Sequence, residues 1–167
     1  MPILDAETLE FISRSATQTQ RLGERLGALL QGGDTLALVG ELGTGKTVFA
    51  QGIGKGWGAL SLLTSPSFVL IRRHERPQNT LKLYHIDLYR LNSLQEVRDL
   101  GLEELLGDPQ TICIVEWAGR ATEVFPEECL WVTLRGLDES RRSLIFRAGG
   151  ERHRDLLQQF RKEIIGR

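Results

Sequence analysis

Apolar positions along the 167 residues change period several times, and each change reads as a new element. Thr8 to Ser13 partly alternates, with Leu9 and Phe11 on one side, as in a short strand before a helix capped near Thr17 or Thr19. Leu22, Leu26, Leu29 and Leu30 recur at helical spacing, and Gly32 and Gly33 end that helix. Thr35 to Val39 is a continuous apolar run, the pattern of a strand buried on both faces. A second helix is expected from about Lys46. It should fray at Gly52, Gly54, Gly56 and Gly58, because each glycine in a helix interior costs roughly 1 kcal/mol.

Thr64 to Phe68 reads as a polar turn around Pro66 that feeds a strand from Phe68 to Arg73. Pro77 and Asn79 mark the turn of a hairpin into Leu81 to Tyr89, where a period of two puts Leu83, His85, Asp87 and Tyr89 on one face. Leu94 to Leu106 is helical with a break at Gly101. Thr111 to Trp117 is a buried strand, and Ala118 to Val124 a short helix stopped before Pro126. Strands near Leu130 to Arg135 and Ser143 to Arg147 precede a closing helix that turns Leu156, Leu157, Phe160 and Ile164 inward. No internal repeat or linker interrupts the order, so a single α/β domain over 1–167 is expected.

Composition narrows the function more than the fold. Apolar residues at 41% and charged residues at 26% are ordinary for a soluble globular chain. A formal net charge of −1 argues against a broad electrostatic grip on nucleic acid, so any RNA role is expected to be indirect. Asp5, Glu7 and Glu10 stand where a signal peptide would need basic and apolar residues, and no apolar run is long enough to span a bilayer. A cytoplasmic location without membrane attachment is the expectation. Cys113 and Cys129 have neither metal-ligand nor redox spacing and read as buried, reduced packing residues.

Specific chemistry enters at Gly40-Glu41-Leu42-Gly43-Thr44-Gly45-Lys46-Thr47, which fits G-x-x-x-x-G-K-[ST] between an apolar strand and a helix. Such a turn aims successive backbone N–H groups at one spot, and the helix N-terminus adds partial positive charge. A polyphosphate fits there. Lys46 would reach its β/γ-phosphates, and the Thr47 hydroxyl would take one position on Mg2+. The alternating glycines at 52–58 resemble a dinucleotide fingerprint only superficially, because they follow a helix and not a strand.

Hydrolysis needs a carboxylate near the metal and a group to orient water. Glu116 closes the strand Ile112-Cys113-Ile114-Val115, at the edge where a parallel sheet delivers side chains to ligand, and is assigned to Mg2+ directly or through water. Asp87 ends another strand and could orient the attacking water or hold the metal shell; the residues leave that division open. His85 shares a face with Asp87 and reads as a packed or hydrogen-bonded residue. Trp117 should point opposite to Glu116 along the strand, as core or as a docking aromatic. Asn79 and Asn92 are the only asparagines and neither begins Asn-Lys-x-Asp, which favours ATP over GTP.

Taken together, Thr19-x-x-Leu22-Gly23, the glycine loop, Ser65-Pro66-Ser67-Phe68, His85-Ile86-Asp87-Leu88-Tyr89-Arg90-Leu91 and Val115-Glu116-Trp117 with Arg120 resemble the TsaE (YjeE) family of bacterial tRNA threonylcarbamoyladenosine (t6A) synthesis. That family usually shows Asp where Glu41 stands, Ala at Thr44, Thr at Ser67 and a second Thr at Val48. The resemblance implies a P-loop three-layer sandwich with a mostly parallel, mixed central sheet, and ATP with Mg2+ as the bound species. It implies nucleotide contacts from Thr19, Leu42, Gly43, Thr44, Gly45, Lys46, Thr47 and Val48, with Arg141 or Arg142 approaching. Thr47 and Glu116 become the metal ligands, and Lys46, Asp87 and Glu116 the catalytic set. The implied partners are TsaB and TsaD: TsaD transfers threonylcarbamoyl to tRNA, and ATP turnover resets the TsaB–TsaD assembly. Two other classes share the loop. One is a small phosphotransferase, for which Arg72, Arg73 and Arg76 are the candidate lid, and the other a nucleotide-gated binding module.

Overall fold

The computed structural model describes residues 3–5, 7–64 and 70–165. An eight-stranded sheet runs in the order β1-β2-β8-β7-β3-β6-β5-β4. Its strands are β1 (Ile3–Asp5), β2 (Thr8–Ser13), β3 (Thr35–Val39), β4 (Ile71–His74), β5 (Lys82–Asp87), β6 (Thr111–Glu116), β7 (Cys129–Gly136) and β8 (Arg142–Gly149). The central strands β7, β3, β6 and β5 are parallel, while β4 on one side and β8, β2 and β1 on the other pair antiparallel. This is the mixed α/β sheet with a parallel centre that the family resemblance implied.

Alternation along the strands builds two cores. Leu36, Leu38, Ile112, Ile114, Leu130 and Val132 pack beneath α1 (Ala16–Gly27), α2 (Lys46–Trp57) and α5 (Glu151–Ile165). Ala37, Cys113, Val115 and Cys129 face the other way, toward α3 (Leu94–Asp99), α4 (Leu102–Leu105) and a 3₁₀ segment over Ala118–Val124. Burial pushes both thiols up to about 12, as suits reduced packing cysteines.

Several boundaries depart from the sequence reading. The cap of α1 is Ser15, whose side chain accepts from Gln18 N–H while Gln18 Oε1 accepts from Arg14 N–H, so the helix starts before Thr17. It ends at Gly27, ahead of Gly32 and Gly33. The expected strand from Phe68 begins within the described residues at Ile71; Ser65, Pro66, Ser67 and Phe68 lie outside them. β5 stops at Asp87, leaving Tyr89 beyond the strand.

The largest correction concerns α2. It does not fray at Gly52 but runs on through Gly54 and Gly56 to Trp57, with Gly58 as its left-handed cap. The reason is tertiary. A methyl at Gly52 or Gly56 would overlap the backbone carbonyls of Gln20 or Glu24 on α1, and one at Gly23 or Gly27 would overlap those of Phe49 or Ile53 on α2. The two backbones approach so closely that only glycine fits, and packing overrides propensity. This contact anchors the helix that follows the loop.

Candidate functional site

β3, β6 and β5 all end at one edge of the sheet, and their termini bring the candidate residues together. The loop leaves β3 at Gly40. Gly40, Gly43 and Gly45 all have positive φ, and a side chain at Gly40 would meet the Leu134 carbonyl and the Thr44 hydroxyl. Nothing lies within 4 Å of where a Cβ of Gly43 would stand. Thr44 braces the turn by donating its hydroxyl to the Glu41 carbonyl at 2.8 Å.

A cleft of about 710 Å³ opens over this loop. Thr19, Leu42, Gly43, Gly45, Lys46, Thr47, Val48, Asp87 and Glu116 line it. Thr44, turned into the loop and buried, does not. Thr19 is held by a 2.6 Å hydrogen bond with Ser13 across the β2–α1 junction. The cleft also takes in Ser15 and Ala16 from the start of α1, Tyr89 and Arg90 after β5, and Glu139, Ser140 and Arg142 from the β7–β8 hairpin. Arg142 Nη2 donates to the Gly43 carbonyl at 3.2 Å, whereas Arg141 is engaged with Asp138. Of the two arginines that the family resemblance implied, Arg142 is the one at the loop. Apart from that implication, no local pattern marked the hairpin, because its approach depends on the antiparallel return of β8.

Lys46 is buried. Its Nζ donates to the carbonyl oxygens of Gly40 at 2.5 Å and Glu41 at 2.7 Å. Burial lowers its pKa, while Glu116, Asp87 and Glu41 pull the other way. Trp117 does not continue β6. Its φ of 60° turns the chain out of the strand, and its ring lies against Lys46 and 4.9 Å from Tyr89. The expected alternation with Glu116 therefore fails at this residue, which is half-buried at the mouth of the cleft.

Across from the loop, Thr47 Oγ1 donates to Glu116 Oε1 at 3.1 Å. Asp87 is the in-register neighbour of Glu116 on β5, and its Oδ1 accepts from Tyr89 N–H at 2.9 Å. His85 Nε2 and Glu116 Oε2 are 2.6 Å apart. A hydroxyl and a carboxylate oxygen side by side, with a second carboxylate adjacent, form a hard-oxygen donor set of the kind Mg2+ takes when phosphates and water complete its shell. Among the described residues no group of three or more His, Cys, Asp or Glu forms an all-protein metal cage. The donor set fits a metal brought with a nucleotide.

The phosphotransferase lid expected from Arg72, Arg73 and Arg76 is not at this cleft. Arg72 and Arg73 lie on the edge strand β4, and Arg76 stacks on Trp57 while donating to its carbonyl at 2.9 Å. No helix among the described residues is long and apolar enough to cross a membrane.

A family model described as "Threonylcarbamoyl adenosine biosynthesis protein TsaE" matches residues 13–144, which include every cleft residue named above. The chain is 34% identical over 85% of its length to the tRNA threonylcarbamoyladenosine biosynthesis protein TsaE of Bacillus subtilis, covering 87% of that protein. It is 37% identical over 80% of its length to the protein of the same name from Treponema pallidum, covering 96% of it. A crystal structure of YdiB from Bacillus subtilis superposes with a TM-score of 0.75 at 28% identity, covering 95% of this chain and 97% of that one. The match runs from the end of β2 to the start of β8, and on that ground, with the identities above, the chain belongs to the TsaE family.

Proposed function

We propose that this protein binds and hydrolyses ATP in the synthesis of t6A, without itself transferring the threonylcarbamoyl group. The observation that carries this reading is the 3.1 Å hydrogen bond between Thr47 and Glu116, which joins the glycine loop to the tip of a buried strand. The names of the relatives in Bacillus and Treponema support the t6A assignment.

In this reading the loop amides from Leu42 to Thr47, with Val48 next in the helix, cradle the phosphates, and Lys46 adds a point charge to the β/γ oxygens. Thr19 borders the same cleft from α1. Thr47 and Glu116 would hold Mg2+, which would supply neutralising charge at the phosphate oxygens. Asp87, oriented by the Tyr89 N–H, is the group that positions water. We further propose TsaB and TsaD as the partners whose assembly this hydrolysis resets, with tRNA met only indirectly and no membrane involved. The position of Arg72, Arg73 and Arg76 away from the cleft favours water over a small-molecule acceptor.

The test is ATP hydrolysis and t6A formation assayed together, with and without TsaB and TsaD, for wild type and Glu116→Ala. Slow hydrolysis alone, acceleration by the pair, and loss of both activities in the variant are expected. Equal rates with and without the partners would end the coupling idea, and γ-phosphate appearing on a small acceptor would convert the reading to a kinase.

A further inference from the structure

His85 is completely buried, yet it touches the cleft through one neighbour. Its Nε2 lies 2.6 Å from Oε2 of Glu116, while Oε1 of the same carboxylate meets the Thr47 hydroxyl at 3.1 Å. Three side chains from β5, β6 and α2 thus form one hydrogen-bonded row. The parallel register makes the row possible: His85 sits beside Ile114, one strand repeat below the Asp87–Glu116 pair, so its ring reaches up to the carboxylate from beneath.

The proton on that ring can be assigned. Nδ1 of His85 is buried and has no hydrogen-bond partner among the described residues. An ionised carboxylate only accepts, so the 2.6 Å contact places the proton on Nε2, which donates it to Oε2, and leaves Nδ1 as a lone pair. The terminal torsion of a glutamate is broad and only weakly self-restrained. A buried donor on one oxygen fixes the plane of the group and therefore the direction of the other oxygen.

We propose that His85 is a positioning residue: its Nε2–H holds Oε2 of Glu116 so that Oε1 faces Thr47 and the Mg2+ of the bound nucleotide. This rests on the metal reading of Thr47 and Glu116 given above. His85 does not line the cleft; it acts only through the carboxylate. Outer-shell donors of this kind commonly change metal affinity by roughly 10- to 100-fold.

A residue that merely fills space makes a different forecast, and the metal-dependent part of nucleotide affinity separates the two. Affinity for a fluorescent ATP analogue is measured in Mg2+ and in EDTA for wild type, His85→Leu and His85→Gln. The leucine keeps bulk without a donor, and the glutamine returns an N–H at similar reach. In EDTA all three should agree within about twofold. The Mg2+ gain should fall about tenfold in His85→Leu and return to within about threefold of wild type in His85→Gln. A gain retained by folded His85→Leu overturns the positioning role and leaves the metal reading intact. No Mg2+ gain in wild type removes the metal reading and the proposal with it. If His85→Leu does not fold, nitrogen-15 spectra of the wild-type ring decide: a protonated Nε2 and bare Nδ1, with and without Mg-ATP, are expected, and a bare Nε2 overturns the proposal.

Discussion

The ammonium of Lys46 lies 4.3 Å from the centre of the Trp117 ring, so the loop lysine is capped by the residue that follows Glu116. The contact depends on the left-handed φ at Trp117, a conformation that costs a non-glycine residue about 1–2 kcal/mol. The stacked cation and the neighbouring Tyr89 ring offset that cost locally. Lys46 is therefore held in place by two carbonyls and an aromatic face.

Replacing Lys46 by alanine should remove about 1–3 kcal/mol of charge-assisted phosphate contact, lowering ATP affinity roughly five- to a hundredfold. Titration calorimetry with Mg-ATP reads this directly. An unchanged dissociation constant would contradict the assigned contact.

Asp87 and Glu116 are in-register neighbours with different surroundings, and the difference predicts a separation of roles. Glu116 contacts Thr47 on the nucleotide loop, whereas Asp87 is turned by the Tyr89 N–H. Asp87→Asn should leave Mg-ATP affinity within severalfold of wild type and slow single-turnover hydrolysis by about 100-fold or more. Equal losses of binding and turnover would show that both carboxylates serve the metal.

In an exposed helix, Gly→Ala gains up to about 1 kcal/mol. At Gly56 the sign should reverse, because the new methyl lands on the Glu24 carbonyl and the two helices must separate. Overpacking of about 1–3 kcal/mol outweighs the propensity gain, so Tm should drop by several degrees. A higher Tm for Gly56→Ala would refute the close approach of α1 and α2.

The β7–β8 hairpin carries Glu139, Ser140 and Arg142 to the cleft, and Asp138 shapes its tip. The Arg141 backbone N–H, the Arg141 side chain and the Ser140 N–H hold the Asp138 carboxyl down at about 2, against an ordinary 3.8. A carboxyl whose folded pKa is depressed stabilises fully above its unfolded value and loses that contribution as pH falls through the folded one. The amides of Ser140 and Arg141 should accordingly remain protected at pH 4 and titrate near pH 2 in NMR spectra. A midpoint near 4 would mean the tip is open.

Much of this architecture was legible because it is local. The glycine loop sits between a doubly buried strand and a helix, and both of its flanks were readable from hydrophobic run and spacing alone. The carboxylates could be nominated because Glu116 closes a strand buried at every position and Asp87 closes its neighbour. The glycines of α2 misled for an equally definite reason: helix propensity is a property of one segment, and their compensation comes from a carbonyl row on another helix. Trp117 misled because the alternation of a strand says nothing about where the strand ends.

From the order of residues alone follow the loop, its strand and helix, and the two acids, since period and turn chemistry act over a few residues. Register, by contrast, belongs to the folded sheet. It is the pairing of β5 with β6 that sets His85 beneath Glu116, and the return of β8 that brings Arg142 to Gly43. Those distances depend on where separate strands dock, and docking is determined by burial of both faces of the sheet at once.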